Sequence, residues 1–372
     1  MDSVAKPFLI SMKHQPFIDW LRMIAAFCVV LIHVTARFVE PSVYQHANAT
    51  WWLAFVINSC SRFAVPIFLM ISGYLLLGRN ESWLSFYRHR YARLLPPFLF
   101  WNLVYLLFGM AFAHNMGVQE RLKAFLYSWA SASHLWYLPM LLSVLMVAPL
   151  LNSVVTKRRP RGFDWCLLLG GILAVFCYYQ ARQPAASATP TAGWLAEVKV
   201  PQVFAFLKPL GLWPNGLFFG YLLLGYVLGV HADRFRPYMP LCWICALSGL
   251  AFGLVADGGG MRYGGRLTSF EYLGLTVCLL SIAVFLSVAL YAGQWSRSPW
   301  VRKIAECSFG IYLIHMIFLR VHDRLLGNWY LRIAANPFVA LCGFLCTTLA
   351  VFLLSFVVVV AVRKHRVGRV IC

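Results

Sequence analysis

Residues 337–362 read PFVALCGFLCTTLAVFLLSFVVVVAV, 26 positions without a charged side chain. Residues 17–38 read FIDWLRMIAAFCVVLIHVTARF, an apolar run broken by Asp19, Arg22, His33 and Arg37. About 20 helical residues cross roughly 30 Å of hydrocarbon. In lipid every backbone amide and carbonyl must be satisfied within its own segment, so runs of this length are helices. Working outward from these two, eight more spans are bounded by charge clusters or Pro/Gly-rich breaks: 52–77, 92–113, 135–155, 163–181, 213–231, 238–256, 271–292 and 304–326. The sequence therefore predicts an all-α membrane protein, a bundle of about ten transmembrane helices forming one integral-membrane domain over 1–372. No internal repeat stands out, and the longest connection, 182–212, reads as a Pro/Ala/Thr-rich loop.

Composition excludes other classes. Of 372 residues 61% are hydrophobic and 12% charged, whereas soluble domains average about 25% charged. The net charge of +20 invites a nucleic-acid reading. The cations lie between apolar spans, where topology needs them, and no nucleic-acid partner is expected. Nineteen Lys and Arg fall on the side shared with the N-terminus and eleven on the other, which predicts cytoplasmic N- and C-termini. The first span exceeds the length of a signal h-region and is expected to stay in the mature chain. Most of the eleven cysteines sit in apolar spans and read as small buried hydrophobes. Cys242 and Cys245 have metal-like spacing without a second ligand pair, so no metal site is expected. The Gly-rich stretch 257–265 reads as a flexible loop.

Charges at membrane depth are costly and mark function. Here they are lopsided: Arg22 and His33 in the first span, Arg62 in the second and His315 in the ninth, with carboxylates only at span ends. A cavity lined this way attracts an anion. Arg22 and His33, eleven residues apart, are offset by about 20° around a helix and stand roughly 16 Å apart along it. Pro66, four residues beyond Arg62, is expected to bend the second span beside that arginine. Arg90 and Arg93, three apart at the cytoplasmic edge, form a donor set suited to phosphate. His134, Trp136 and Tyr137 open the fourth span, where aromatic residues also fit an interfacial belt.

These residues resemble the acyltransferase-3 family of multi-pass membrane acyltransferases, whose first span carries an Arg, ten residues and a His. The likeness covers Arg22 to His33, Val65-Pro66-Ile67-Phe68 with Ser72-Gly73-Tyr74, Arg90 and Arg93 before Pro96, His134-Leu135-Trp136-Tyr137, and Ser308-Phe309-Gly310-Ile311-Tyr312-Leu313-Ile314-His315. It looks most like bacterial surface-polysaccharide O-acetyltransferases of the enterobacterial common antigen type. The resemblance implies a bacterial inner-membrane enzyme that passes an acetyl group from cytoplasmic acetyl-CoA to a hydroxyl of a cell-surface or lipid-linked glycan. His33 would be catalytic with Arg22 its motif partner, and Arg90 and Arg93 would hold the donor. We add Arg62 to the donor site and assign His134, Trp136, Tyr137 and His315 to the acceptor. No acid in the first span reaches His33, so any group that orients it must come from another span. The competing reading is a transporter or flippase for an anionic lipid-linked sugar, which needs the cavity but no acetyl-CoA.

Overall fold

The computed structural model describes residues 15–39, 48–112, 133–156, 163, 165–172, 218–261, 270–295, 298–333 and 336–372. Among these residues regular structure is all helix, with no strand. The helices are α1 (Pro16–Val39), α2 (Ala49–Ser61), α3 (Ala64–Leu76) and α4 (Trp83–Phe112). A 3-10 turn, Ser133–Trp136, leads into α5 (Tyr137–Thr156). Then come α6 (Phe219–Val230), the short α7 (Ala232–Phe235), α8 (Met239–Met261) and α9 (Leu275–Tyr291). The chain continues with α10 (Pro299–Ile333), α11 (Pro337–Val362) and α12 (Arg366–Ile371). Taking α2 and α3 as one span, eight helical stretches among the described residues are long and apolar enough to cross a membrane, and α6 is a shorter apolar helix. Of the expected span 163–181, residues 165–172 are helical. Residues 164 and 173–181 of it and the connection 182–212 lie outside the described residues.

Several boundaries differ from expectation for physical reasons. The second span is two helices broken at Arg62-Phe63 rather than one bent at Pro66. Pro66 falls in the first turn of α3, where a missing amide hydrogen costs little. Helix α4 starts at Trp83, nine residues ahead of the expected 92. Its first turns pack on α5, with Tyr87 and Tyr91 donating to the carbonyls of Met146 (2.8 Å) and Leu142 (2.9 Å). Those contacts make helix of a charged stretch that looked like a cytoplasmic edge. Helix α8 runs through Gly258 to Met261, so the glycine stretch is not a loop from residue 257. A β-carbon at Gly258 would strike the Trp52 indole, and the glycine lets α8 pack that closely. Residues 262–265 of the stretch lie outside the described residues.

Helix α1 is central and packs against α2, α3, α9, α10 and α11. It runs parallel to α10: Trp20 meets Trp295 just ahead of α10, with ring centroids 5.0 Å apart, and the Arg37–Asp323 ion pair closes the far end. Helices α3 and α6 cross with their backbones in close approach. Gly73 faces the backbone of Leu222 and Gly225 faces that of Met70, and a β-carbon at either would overlap the opposing main chain. Small residues at membrane-helix crossings permit this approach, and van der Waals contact then replaces the hydrophobic drive that lipid cannot supply. On the outside, Ile244, Phe252 and Val255 of α8 and Leu349, Leu353 and Val357 of α11 are exposed, as lipid-facing side chains must be.

Candidate functional site

A cavity of about 280 Å³ lies between α1, α3, α4, α5 and α10. Arg22 and His33 both line it, because eleven residues return a helix nearly to the same face. Arg90 and Arg93 of α4 line it with Arg22, and His134, Trp136 and Tyr137 line it with His33. Since α1 and α10 are parallel, the N-terminal turns of α10, including Glu306, stand level with Arg22, while His315 stands level with His33. The cavity thus has a guanidinium end and an imidazole end.

At the guanidinium end Arg90 is already committed. Its Nη1 donates to both carboxylate oxygens of Glu81, at 2.6 and 2.5 Å, and its guanidinium lies 4.5 Å from the Phe86 ring centre. Ser85 Oγ donates to the same carboxylate at 3.1 Å, and His89 Nδ1 lies 3.3 Å from it. Partial burial pushes the Glu81 carboxyl up, but hydrogen bonds and charge from Arg90, helped by His89 and Ser85, outweigh it and hold the group below the ordinary carboxylate range. The loop that delivers Glu81 is fixed in turn. Asn152 of α5 accepts from the amides of Gly78 (2.8 Å) and Arg79 (3.2 Å) and donates to the Arg79 carbonyl (2.6 Å). Gly78 has φ of 78°, a left-handed conformation natural to glycine. Arg93 has no acid partner among the described residues, and Arg22 feels both Arg93 and Asp19.

The imidazole end is a cluster. The His33 ring centre is 5.1 Å from that of His315 and 6.1 Å from that of His134, and the latter two are 5.3 Å apart. His315 is 0% exposed and His134 2%. Tyr312 donates its hydroxyl to the His134 carbonyl and Tyr105 donates to the Leu313 carbonyl, each at 2.7 Å. These two bonds tie the 3-10 turn and α4 to α10. Trp136 stacks on Tyr272 at 5.3 Å. Among the described residues no group of three His, Cys, Asp or Glu side chains is placed to hold a metal ion.

Two predicted residues do not line the cavity. Arg62 donates from Nε to Asn58 Oδ1 at 3.1 Å and from Nη1 to the Phe270 carbonyl at 3.2 Å. Asn58 Nδ2 donates to the Ile32 carbonyl (2.9 Å) and to Thr35 Oγ1 (3.0 Å), so Arg62 braces the backbone beside His33 through Asn58. Arg62, expected at the donor site, is thus outside the cavity lining, with Nη1 on the Phe270 carbonyl beyond the helix break. His315 stands behind His33. Glu81, Asn152, Tyr105 and Tyr312 were missed. Glu81 left a signal, being the lone acid between residues 78 and 112. The others left none, because their partners are 74, 208 and 178 positions away.

The acyltransferase-3 family, described as an acyltransferase domain, matches residues 15–359. A protein of Enterococcus faecalis named amino-acid racemase is 26% identical over 379 aligned positions, covering 96% of this chain. The chain spans about half, 48%, of that relative's own length. No solved structure matches.

Proposed function

Because the chain belongs to the acyltransferase-3 family, matched over nearly its whole length, we propose that it moves an acetyl group from cytoplasmic acetyl-CoA to a hydroxyl of a surface or lipid-linked glycan. The observation that carries this reading is a cavity that joins three arginines to the imidazole of His33. Coenzyme A is a polyanion on a long, thin arm. Arg93 and Arg22, with Arg90 beside them, are placed to take its phosphates by charge-assisted hydrogen bonds, and the roughly 16 Å along α1 from Arg22 to His33 is bridged by the pantetheine.

In the proposed step the acceptor hydroxyl gives its proton to His33 as its oxygen attacks the thioester carbonyl. The C–O bond forms, the C–S bond breaks, and the proton on His33 leaves with the coenzyme A thiolate as a thiol. An imidazole suits this task because its ordinary titration range lies near neutral pH. Trp136 and Tyr137 supply flat apolar surface to a sugar ring. Cytoplasmic termini and residence in a bacterial inner membrane belong to this proposal, supported by the bias of Lys and Arg between the two sides. The racemase name is that of a relative matched over half its length and assigns no acceptor here.

The test uses the full chain in lipid vesicles, radiolabelled acetyl-CoA, and membranes from cells lacking the protein as acceptor. Alkali-labile label should pass to the glycan fraction with wild type and fall to background with His33→Ala at equal thermal stability. Transfer by His33→Ala near the wild-type rate would refute the assignment.

A further inference from the structure

His33 lies on a helix whose one acid, Asp19, sits in the first turn, and Asp323 on α10 is engaged by Arg37. What faces His33 instead is His315 of α10, 5.1 Å between ring centres with the rings inclined at 41°. His315 Nδ1 lies 2.7 Å from the carbonyl of Tyr312 and 3.2 Å from that of Ile311. Carbonyls only accept, so the neutral ring must carry its hydrogen on Nδ1. Its Nε2 then presents a lone pair. That nitrogen is buried and has no hydrogen-bond partner, and the same is true of both ring nitrogens of His134. Leaving a buried polar atom unsatisfied is costly, which favours a site built for a donor that arrives or turns toward it.

We infer that His315 is the positioning residue for His33: its Nε2 accepts the N–H of His33 and thereby leaves the second nitrogen of His33 as a lone pair facing the cavity. This rests on the proposed acyl transfer. In the step, one proton passes from the acceptor oxygen to His33 and on to the departing thiolate, while His315 keeps its own proton on Nδ1 throughout. The fixed tautomer matters because an imidazole turned the other way would present N–H, which cannot take a proton. The other groups around His33 do not serve. Arg62 and Arg37 act on it as cations with no acceptor atom, and His134 lies farther off, at 6.1 Å. The carbonyl bonds that lock the His315 tautomer come from its own helix, so the device is carried by Ile311-Tyr312-Leu313-Ile314-His315, about one turn and a half of α10.

Three variants separate this role from packing. Leu fills the ring volume with no acceptor. Asn carries an amide oxygen that reaches only the position of Nδ1. Gln reaches the position of Nε2. In the vesicle assay above, His315→Leu and His315→Asn should lower kcat by about 10²-fold, the contribution typical of a positioned general base, with KM for acetyl-CoA and thermal stability unchanged. His315→Gln should recover at least a tenth of the wild-type kcat, set against the same general-base range. Equal kcat for Gln and Asn, kcat within threefold of wild type for Leu (well short of that range), or a rise in KM with kcat unchanged would each overturn the inference while wild type still transfers acetyl groups. A wild-type protein that transfers none would overturn the proposed function itself.

Discussion

Glu81→Gln should tighten binding of coenzyme A. One arm of the Arg90 guanidinium, Nη1, is held by Glu81 through two short hydrogen bonds to one carboxylate, so a phosphate that takes that arm must displace the carboxylate or settle for Arg93 and Arg22. The side chains of Arg90 and Glu81 are 19% and 21% exposed, which places the pair between a screened surface bridge, about 0–1 kcal/mol, and a buried charge-assisted bond, about 1.5–3 kcal/mol. A figure near 1 kcal/mol follows, or roughly a fivefold lower Kd once the carboxylate charge is gone. Glutamine keeps the size of the side chain and its bond to Ser85, so the loop held by Asn152 stays in place. The assay is titration calorimetry of coenzyme A into the purified protein at low ionic strength, where the contest between phosphate and carboxylate is least screened. An unchanged or raised Kd for Glu81→Gln would refute the competition and make Glu81 a brace that holds Arg90 ready for the donor.

Arg22→Lys should lose most acetyl transfer at limiting and at saturating acetyl-CoA, because an ammonium cannot reproduce a planar fork; full activity at both donor concentrations would leave Arg22 a partner of Asp19 and nothing more. Gly225→Ala should destabilise the protein by about 1–3 kcal/mol, the usual range for overpacking, since its methyl overlaps the Met70 backbone; an unchanged thermal midpoint would contradict the closeness of the α3/α6 crossing. The depressed Glu81 titration sets a pH dependence: its stabilisation is complete above the ordinary carboxylate value of 4.5 and is lost as pH falls through the lower folded-state value. The gap in thermal midpoint between wild type and Glu81→Gln should therefore be constant from pH 7 to about 5 and close in more acid solution, and a gap that opened on acidification would reverse the sign of the argument.

The membrane class of this chain was legible because it depends on a one-dimensional quantity, the length of apolar sequence needed to cross lipid. The span 337–362 was readable to the residue, since Asn336 caps it and Arg363 follows it. Arg22 and His33 were legible as a pair for a related reason: helical periodicity within one span fixes their common face without reference to any neighbour. Periodicity failed where neighbours decide. The charged turn at Tyr87 to Arg93 became part of α4 because α5 offers carbonyls to its tyrosines, and at Gly258 the helix continues with the Trp52 indole packed against it.

The sequence by itself determined that the protein lies in a membrane, that the charges within its spans are Arg and His with carboxylates kept to the span ends, and that one helix carries an Arg and a His on one face. Only the tertiary structure decided what those groups meet. It left Arg62 outside the cavity lining with Nη1 on the Phe270 carbonyl, set Glu81 on Arg90, and brought His315 from 282 positions downstream to the side of His33. The physical reason is that local pattern records the angle at which a side chain leaves its own helix, whereas partnership depends on the register between helices. That register is set here by the glycine crossing of α3 with α6 and by the Arg37–Asp323 bridge of α1 with α10.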